Sequence, residues 1–403
     1  MDTGTIIGIL GIIIGILFGI IIGYHFYIRT RKDIRISEDS IINKLATPLI
    51  ELATHLIDIN KEEYNKNDIK FKEIAALDEN ERDKQYNKLT GNASDYLTFG
   101  NVEYAKQSYQ IAIEFYTKAI KIDPNYSDAY KNRGIVYYIQ KKYDEAIKNF
   151  TKTIELNPNY ADAYSLRGIN YMIQGKYEES IKDCTTAIEL NPTSILLTYA
   201  IRGLAYAGQD KYDDAIKDLN KAIELDSKFA IHYYLRGIIY CYRNNNNEAI
   251  KDFTKTIELN PNDAIYYGSR GRAYCEIGNY KEAINDCNKA IELDSNYSDA
   301  YFCRGFAYNN KDKYDEAIKD FNKAIELNPN FADAYCSRGL AYCKLKKYEL
   351  FINDLKKAAD LGSSIARGIV KDYFPKDYKN KEDWGENILS ISALLSKHMK
   401  GHK

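Results

Sequence analysis

Catalytic machinery is what this chain of 403 residues most plainly lacks. It contains no P-loop, no G-x-S-x-G elbow, no H-E-x-x-H and no paired zinc-ligand spacing. Its five histidines, His25, His55, His232, His398 and His402, are scattered. The expectation is a protein that is not an enzyme and that holds neither metal nor cofactor. Net charge is missing too: 56 Lys and Arg stand against 57 Asp and Glu, a balance of −1. No global field therefore points to nucleic acid or to an acidic ligand. The seven cysteines, Cys184, Cys241, Cys275, Cys287, Cys303, Cys336 and Cys343, are an odd number without a C-x-x-C pair. That argues against a disulfide framework or a metal knuckle and for reduced thiols filling a core or groove, in a cytosol-facing location.

Charge is absent altogether between Thr3 and Ile28. As a helix, Ile6 to Ile28 would span roughly 34 Å, enough for the hydrocarbon thickness of a bilayer. A cleaved leader wants a basic start, a shorter apolar run and a small-residue cleavage site, whereas Asp2 leads here and Tyr24, His25 and Phe26 follow. Residues 1–28, with the apolar stretch at about 4–28, therefore read as an uncleaved transmembrane anchor. Arg29, Arg31, Lys32 and Arg35 come next, which sets the N-terminus outside and everything after residue 30 in the cytoplasm. Gly4, Gly8, Gly11, Gly15, Gly19 and Gly23 step along one helix face, where close approach by a second copy or another span is expected. The alternative is a glycine-rich span with no fixed partner.

Residues 29–92 form a basic juxtamembrane segment and a linker that carries no strand pattern. Two helices are predicted, at about 41–60 and 68–89. In the first, Ile42, Leu45, Leu49, Leu52, Leu56 and Ile59 make a short heptad-like seam interrupted by Pro48. It is better suited to packing on the helical region after residue 92 than to forming an independent zipper.

The rest of the chain is organised by repetition. Seven Tyr-x-x-Arg-Gly-x-x-Tyr segments carry Gly134, Gly168, Gly203, Gly237, Gly271, Gly305 and Gly339, at steps of 34, 35, 34, 34, 34 and 34 residues. A period of that length means stacked helical units. Counting the glycine as place eight, tyrosine recurs at places four and eleven, steps of four and three that share one helical face, predicted to be buried. A second helix opens near Tyr143–Ala146 and Tyr314–Ala317, with a small residue at place twenty in Ala146, Ser180, Ala215, Ala249, Ala283 and Ala317. Pro124, Pro158, Pro192, Pro261 and Pro329 follow its end, suited to the first turn of the next helix.

In these small-residue and proline positions the chain closely resembles the tetratricopeptide repeat family, over about two thirds of its length. Eight units lie in register: 93–126, 127–160, 161–195, 196–229, 230–263, 264–297, 298–331 and 332–365. The first keeps Tyr96, Gly100, Tyr109, Ala112, Ala119 and Pro124 but departs at Phe99 and Glu103. The last departs at Phe351, where alanine is expected, and at Leu361-Gly362, where Asn-Pro is expected. Residues 366–403 are then a capping helix and a C-terminal tail, in which Trp384, Ile388, Ile391 and Leu395 form one apolar stripe. The resemblance implies an all-α, right-handed superhelical solenoid whose first helices line a groove for a protein or peptide.

Arg133, Arg167, Arg202, Arg236, Arg270, Arg304 and Arg338 occupy place seven, where the family more often has leucine. In a hairpin turning near place fifteen, place twenty-three lies opposite, and it holds Asn149, Asp183, Asp218, Asp252, Asp286, Asp320 and Asp354. A structural pair per unit is the economical reading, and a row of anion sites is the functional alternative.

Groove-facing places in the family are two, five, nine, twelve and thirteen. Of a carboxylate clamp at places five, six and nine only Lys131 and Asn132 are present, and place nine is apolar in Ile135, Ile169, Leu204, Ile238, Phe306 and Leu340, with Arg272 the exception. Place two holds Asp128, Asp162, Asp299 and Asp333 in four units but Leu197, Ile231 and Ile265 in the central three. With Leu204, Tyr234, Ile238 and Tyr242 these predict an apolar and aromatic patch for an apolar peptide or amphipathic helix. The competing reading is that they pack against the preceding unit.

The whole reads as a single-pass membrane protein whose cytoplasmic array recruits other proteins. Its rival is the same array facing a periplasm or exterior and aiding envelope assembly, although the four-cysteine knuckle that ends similar bacterial envelope proteins is missing here. An enzyme with an unrecognised site is the distant third reading.

Overall fold

The computed structural model describes residues 91–191 and 196–373. The anchor with its glycine face, the linker helices at 41–60 and 68–89 and the stripe from Trp384 to Leu395 lie outside the described residues. Among the described residues there are seventeen α-helices and no strand, and no helix is long and apolar enough to cross a membrane. The chain divides into two units, one ending at Asp210 and one beginning at Lys211.

The first unit holds three helical hairpins, α1 (Ala93–Ala105) with α2 (Tyr109–Ile122), α3 (Ser127–Ile139) with α4 (Tyr143–Leu156), and α5 (Ala161–Ile173) with α6 (Tyr177–Leu190), followed by α7 (Leu196–Gly208). The second opens with α8 (Tyr212–Leu225) and continues through α9 (Ala230–Tyr242) with α10 (Asn246–Leu259) and α11 (Ala264–Glu276) with α12 (Tyr280–Leu293). Two more hairpins come after these, α13 (Ser298–Asn310) with α14 (Tyr314–Leu327) and α15 (Ala332–Lys344) with α16 (Tyr348–Asp360), and α17 (Ser364–Tyr373) covers the last. Within each unit every helix packs on the next, and successive first helices also touch one another: α1, α3, α5 and α7 in one unit, α9, α11, α13 and α15 in the other. The second helices pack chiefly on the first helices before and after them. Each unit therefore has an inner layer of first helices and an outer layer of second helices.

The hairpin turn is built the same way in all eight repeats. Place fifteen adopts the left-handed conformation at Gln107, Lys141, Gly175, Asp210, Asn244, Gly278, Asp312 and Lys346, with φ between 56° and 79°. Around Lys141, its N–H bonds Tyr138 O at 2.8 Å and the Lys142 N–H bonds Tyr137 O at 2.9 Å, which satisfies two carbonyls left open at the helix end. The second helix begins two residues later with acidic side chains such as Asp144 and Glu145 in its first turn, where the helix dipole favours them.

Place eight is glycine because the second helix presses a side chain against it. An added Cβ on Gly134 would lie 2.8 Å from a Phe150 ring carbon, on Gly237 2.7 Å from Phe253, and on Gly305 2.9 Å from Phe321. The missing side chain thus admits the place-twenty-four side chain of the second helix into the first. The small residues at place twenty, Ala146, Ser180, Ala215, Ala249, Ala283 and Ala317, are fully buried beside that contact. In the last repeat Phe351 is also fully buried, in a core with Leu355, Ala358, Ala366 and Ile369, so α17 supplies the surface that a further repeat would otherwise cover.

Candidate binding face

Charged side chains inside this architecture are committed first to holding it together. Arg236 donates from Nε and Nη2 to both oxygens of Asp252 at 2.8 and 2.6 Å, and from Nη1 to Asn220 Oδ1 at 2.5 Å. Asp252 is in the same repeat and Asn220 at place twenty-five of the preceding one, so one guanidinium ties two repeats. The same three bonds recur for Arg167 with Asp183 and Thr151, Arg270 with Asp286 and Thr254, Arg304 with Asp320 and Asn288, and Arg338 with Asp354 and Asn322. Arg133 makes a weaker version with Asn149 and Thr117, and Arg202 reaches Thr185.

Each guanidinium also lies against the tyrosine of place four, and those of Arg167, Arg236 and Arg338 lie against that of place eleven as well. Arg338 is 5.3 Å from the centroid of Tyr335 and 5.9 Å from that of Tyr342, and Arg167 is 5.8 Å from both Tyr164 and Tyr171. Most of these rings are half-buried rather than buried, because one side rests on the arginine and the other remains in solvent. Burial pushes the carboxyls of Asp252, Asp286 and Asp354 upward, with the arginine partner offsetting part of it. The guanidiniums of Arg236 and Arg338 also shift upward, their desolvation outweighed by the bonded Asp. The two directions pull opposite ways on the pair. Bidentate geometry below 3 Å decides for a charged pair at neutral pH.

The two residues that suit a carboxylate clamp are spent internally: Lys131 donates to Tyr160 Oη at 2.5 Å and Asn132 to Asn101 Oδ1 at 2.8 Å, and both side chains are buried. The apolar residues at groove-facing places divide between the two units. In the first unit Leu197 and Leu204 on α7 are buried, each about 2% exposed. In the second, Ile231 and Tyr234 on α9 are buried as well, Tyr234 between Phe253 and Tyr266 with its hydroxyl 3.4 Å from Ser269 Oγ. Burial pushes the Tyr234 phenol up to about 12. Ile238 and Tyr242 on α9 and Ile265 on α11 keep part of their surface open.

Beside them stands a cation, the one exception to the apolar column at place nine of the seven Arg-Gly repeats. Arg272, at place nine of α11, is exposed and makes no hydrogen bond or ion pair among the described residues. Crowding by the inner layer opposes its charge, and the nearby carboxylates of Glu276 and Asp299 more than offset that, so its pKa shifts upward. Its exposure decides that it stays available to solvent. The face offered by the second unit is therefore apolar and aromatic around one unbonded guanidinium. No cluster of His, Cys, Asp and Glu that could hold a metal ion occurs among the described residues.

Comparison with known proteins agrees with this repeat anatomy. The family model described as Tetratricopeptide repeat matches residues 127–160, 161–194, 197–229, 230–263 and 298–331. A second, described as TPR repeat, matches 100–141 and 271–312, and a third, again Tetratricopeptide repeat, matches 253–285 and 321–350. No curated protein matches the chain. Among solved structures, a tetratricopeptide repeat protein from Parabacteroides merdae is 22% identical, with 62% of this chain and 98% of that one covered at a TM-score of 0.50. The Cut9–Hcn1 hetero-tetramer of the APC/C gives 17% identity over 83% of this chain and 68% of its own, also at 0.50. YrrB, a TPR protein with an unusual peptide-binding site, is 26% identical over 47% of this chain and 97% of its own, at 0.38. With the three family models together running from residue 100 to residue 350, the chain belongs to the tetratricopeptide repeat family.

Proposed function

We propose that this chain is a membrane-anchored scaffold that holds a protein or peptide partner on its inner, first-helix layer. One observation carries the reading: in the second unit the inner layer keeps Ile238, Tyr242 and Ile265 partly open around the unbonded Arg272, while the arginines of place seven are consumed by the framework. Partly open apolar and aromatic side chains beside one cation suit an apolar segment or amphipathic helix better than a polar surface. Ile231 and Tyr234 support that face from below rather than lining it.

A photo-crosslinking amino acid placed at Ile238 or Tyr242 in the full-length chain tests this. Adducts are expected there and not at Lys319 on the outer layer, where the side chain is exposed. Equal labelling at both places, or none at the inner one, would remove the proposal. The anchor rests on the uncharged stretch from Thr3 to Ile28 and the basic residues after it, with the array in the cytoplasm and self-association through the glycine face. Retention in the membrane after alkaline carbonate washing, with the array cut by protease only once cells are opened, is the expected result. Digestion in intact cells would instead favour the outward-facing envelope role.

A further inference from the structure

At one junction between repeats, three thiols meet. Cys275 on α11, Cys287 on α12 and Cys303 on α13 occupy places twelve, twenty-four and, in the next repeat, six, and they share one buried cluster with Ala283 and Ala307. The equivalent trio at the junction of the second and third repeats is Tyr138, Phe150 and Leu166. Cys275 Sγ lies 3.5 Å from Cys303 Sγ and 3.7 Å from the Cys303 carbonyl oxygen. Cys287 fills the space opened by Gly271, whose absent Cβ would sit 3.1 Å from Cys287 Sγ. Cys275 and Cys303 are each 6% exposed and Cys287 is fully buried, so the two that face each other keep a trace of exposure that the third lacks.

We infer that Cys275 and Cys303 are a site of reversible oxidation, at which a peroxide joins α11 to α13 through a disulfide between adjacent repeats. A disulfide needs the sulfurs at about 2.05 Å, so an approach of about 1.5 Å from their present separation completes it, within reach of side-chain rotation and a small helix shift. Arg272 favours the thiolate of Cys303, while burial and Asp299 oppose it. In the first step the Cys303 thiolate attacks one oxygen of hydrogen peroxide. An S–O bond forms, the O–O bond breaks, and the departing hydroxide takes a proton to become water. In the second, the Cys275 sulfur attacks the resulting sulfenic sulfur; the S–S bond forms, the S–O bond breaks, and the hydroxide leaves as water with the Cys275 proton. Two thiols and one peroxide thus give one disulfide and two waters. The link would fasten two inner-layer helices whose contact is the unit of stability in such an array.

The test uses the full-length chain, treated with hydrogen peroxide, blocked with an alkylating reagent, digested and mapped by mass spectrometry. Expected are a linked pair of peptides carrying Cys275 and Cys303 from one chain, a fall from seven free thiols to five, and full recovery with dithiothreitol. The same treatment in urea should lose the preference for this pair, since the fold supplies the proximity. In Cys275→Ser, checked by circular dichroism for retained helix, Cys303 should accumulate as a sulfenic acid that dimedone labels. If Cys303 stays unmodified at a peroxide dose that oxidises the half-buried Cys241, or if it links only to other chains, the inference is overturned.

Discussion

At the scale of single residues, the chain assigns its charges by burial. The arginine of place seven is the case with the largest energetic consequence, because removing one partner leaves a shielded charge unpaired. Arg236→Met is expected to destabilise the array by about 3 kcal/mol, whereas Arg236→Met with Asp252→Leu should lose much less, since the uncompensated carboxylate is gone. Chemical unfolding of the two variants decides it; a double variant no better than the single one would show that the cost does not come from the unpaired carboxylate. The sixteen-residue offset between arginine and aspartate is readable in the sequence. The bond to place twenty-five of the preceding repeat is not, because Thr151, Asn220 and Asn288 look like ordinary solvent-facing polar residues until the repeats are stacked.

Tyr234 gives the residue-scale prediction in pH. Its phenol is raised from 10 to about 12 by burial, so the unfolded chain loses this proton first. The stability tied to the neutral phenol is complete below pH 10 and is lost as pH rises from 10 to about 12, by about 3 kcal/mol in all. Tyr234→Phe should therefore resist alkaline unfolding better than the parent, and the parent-minus-variant absorbance titration should show one phenol ionising near 12. An ionisation near 10 would mean that the ring is in water.

At the scale of the helical hairpin, the turn rather than helix propensity limits stability. Six of the eight turns hold a side chain in the left-handed region, where only glycine is free of Cβ strain. Lys141→Gly should gain about 1 kcal/mol, and Gly175→Ala should lose a similar amount. Urea midpoints would register both, and a loss on Lys141→Gly would place the strain elsewhere. The helix pattern places this turn near place fifteen, yet nothing in lysine or glutamine favours a positive φ. Closure of both carbonyl bonds at the helix end imposes it. The glycine of place eight is likewise conspicuous by its period, while its purpose depends on which side chain of the opposite helix points at it.

At the scale of the whole molecule, repetition makes stability nearly a sum of local terms. Gly134→Ala and Gly305→Ala push a new Cβ against Phe150 and Phe321, in different units. Each should cost about 1 to 3 kcal/mol by overpacking. Together they should add to within about 0.5 kcal/mol, because they share no neighbour. A marked departure from additivity in urea unfolding would reveal long-range coupling that the repeat arrangement does not provide.

The sequence by itself determined the period, the helical class, the family and the within-repeat partner of the framework arginines Arg133, Arg167, Arg236, Arg270, Arg304 and Arg338. These are legible because a 34-residue step repeats the same local physics many times and lets noise cancel. Tertiary structure decided which apolar side chains are buried support and which are open, and it left Arg272 unbonded and brought Cys275 to Cys303. Those outcomes depend on how one repeat leans on the next, a geometry that composition and spacing along a single chain do not encode.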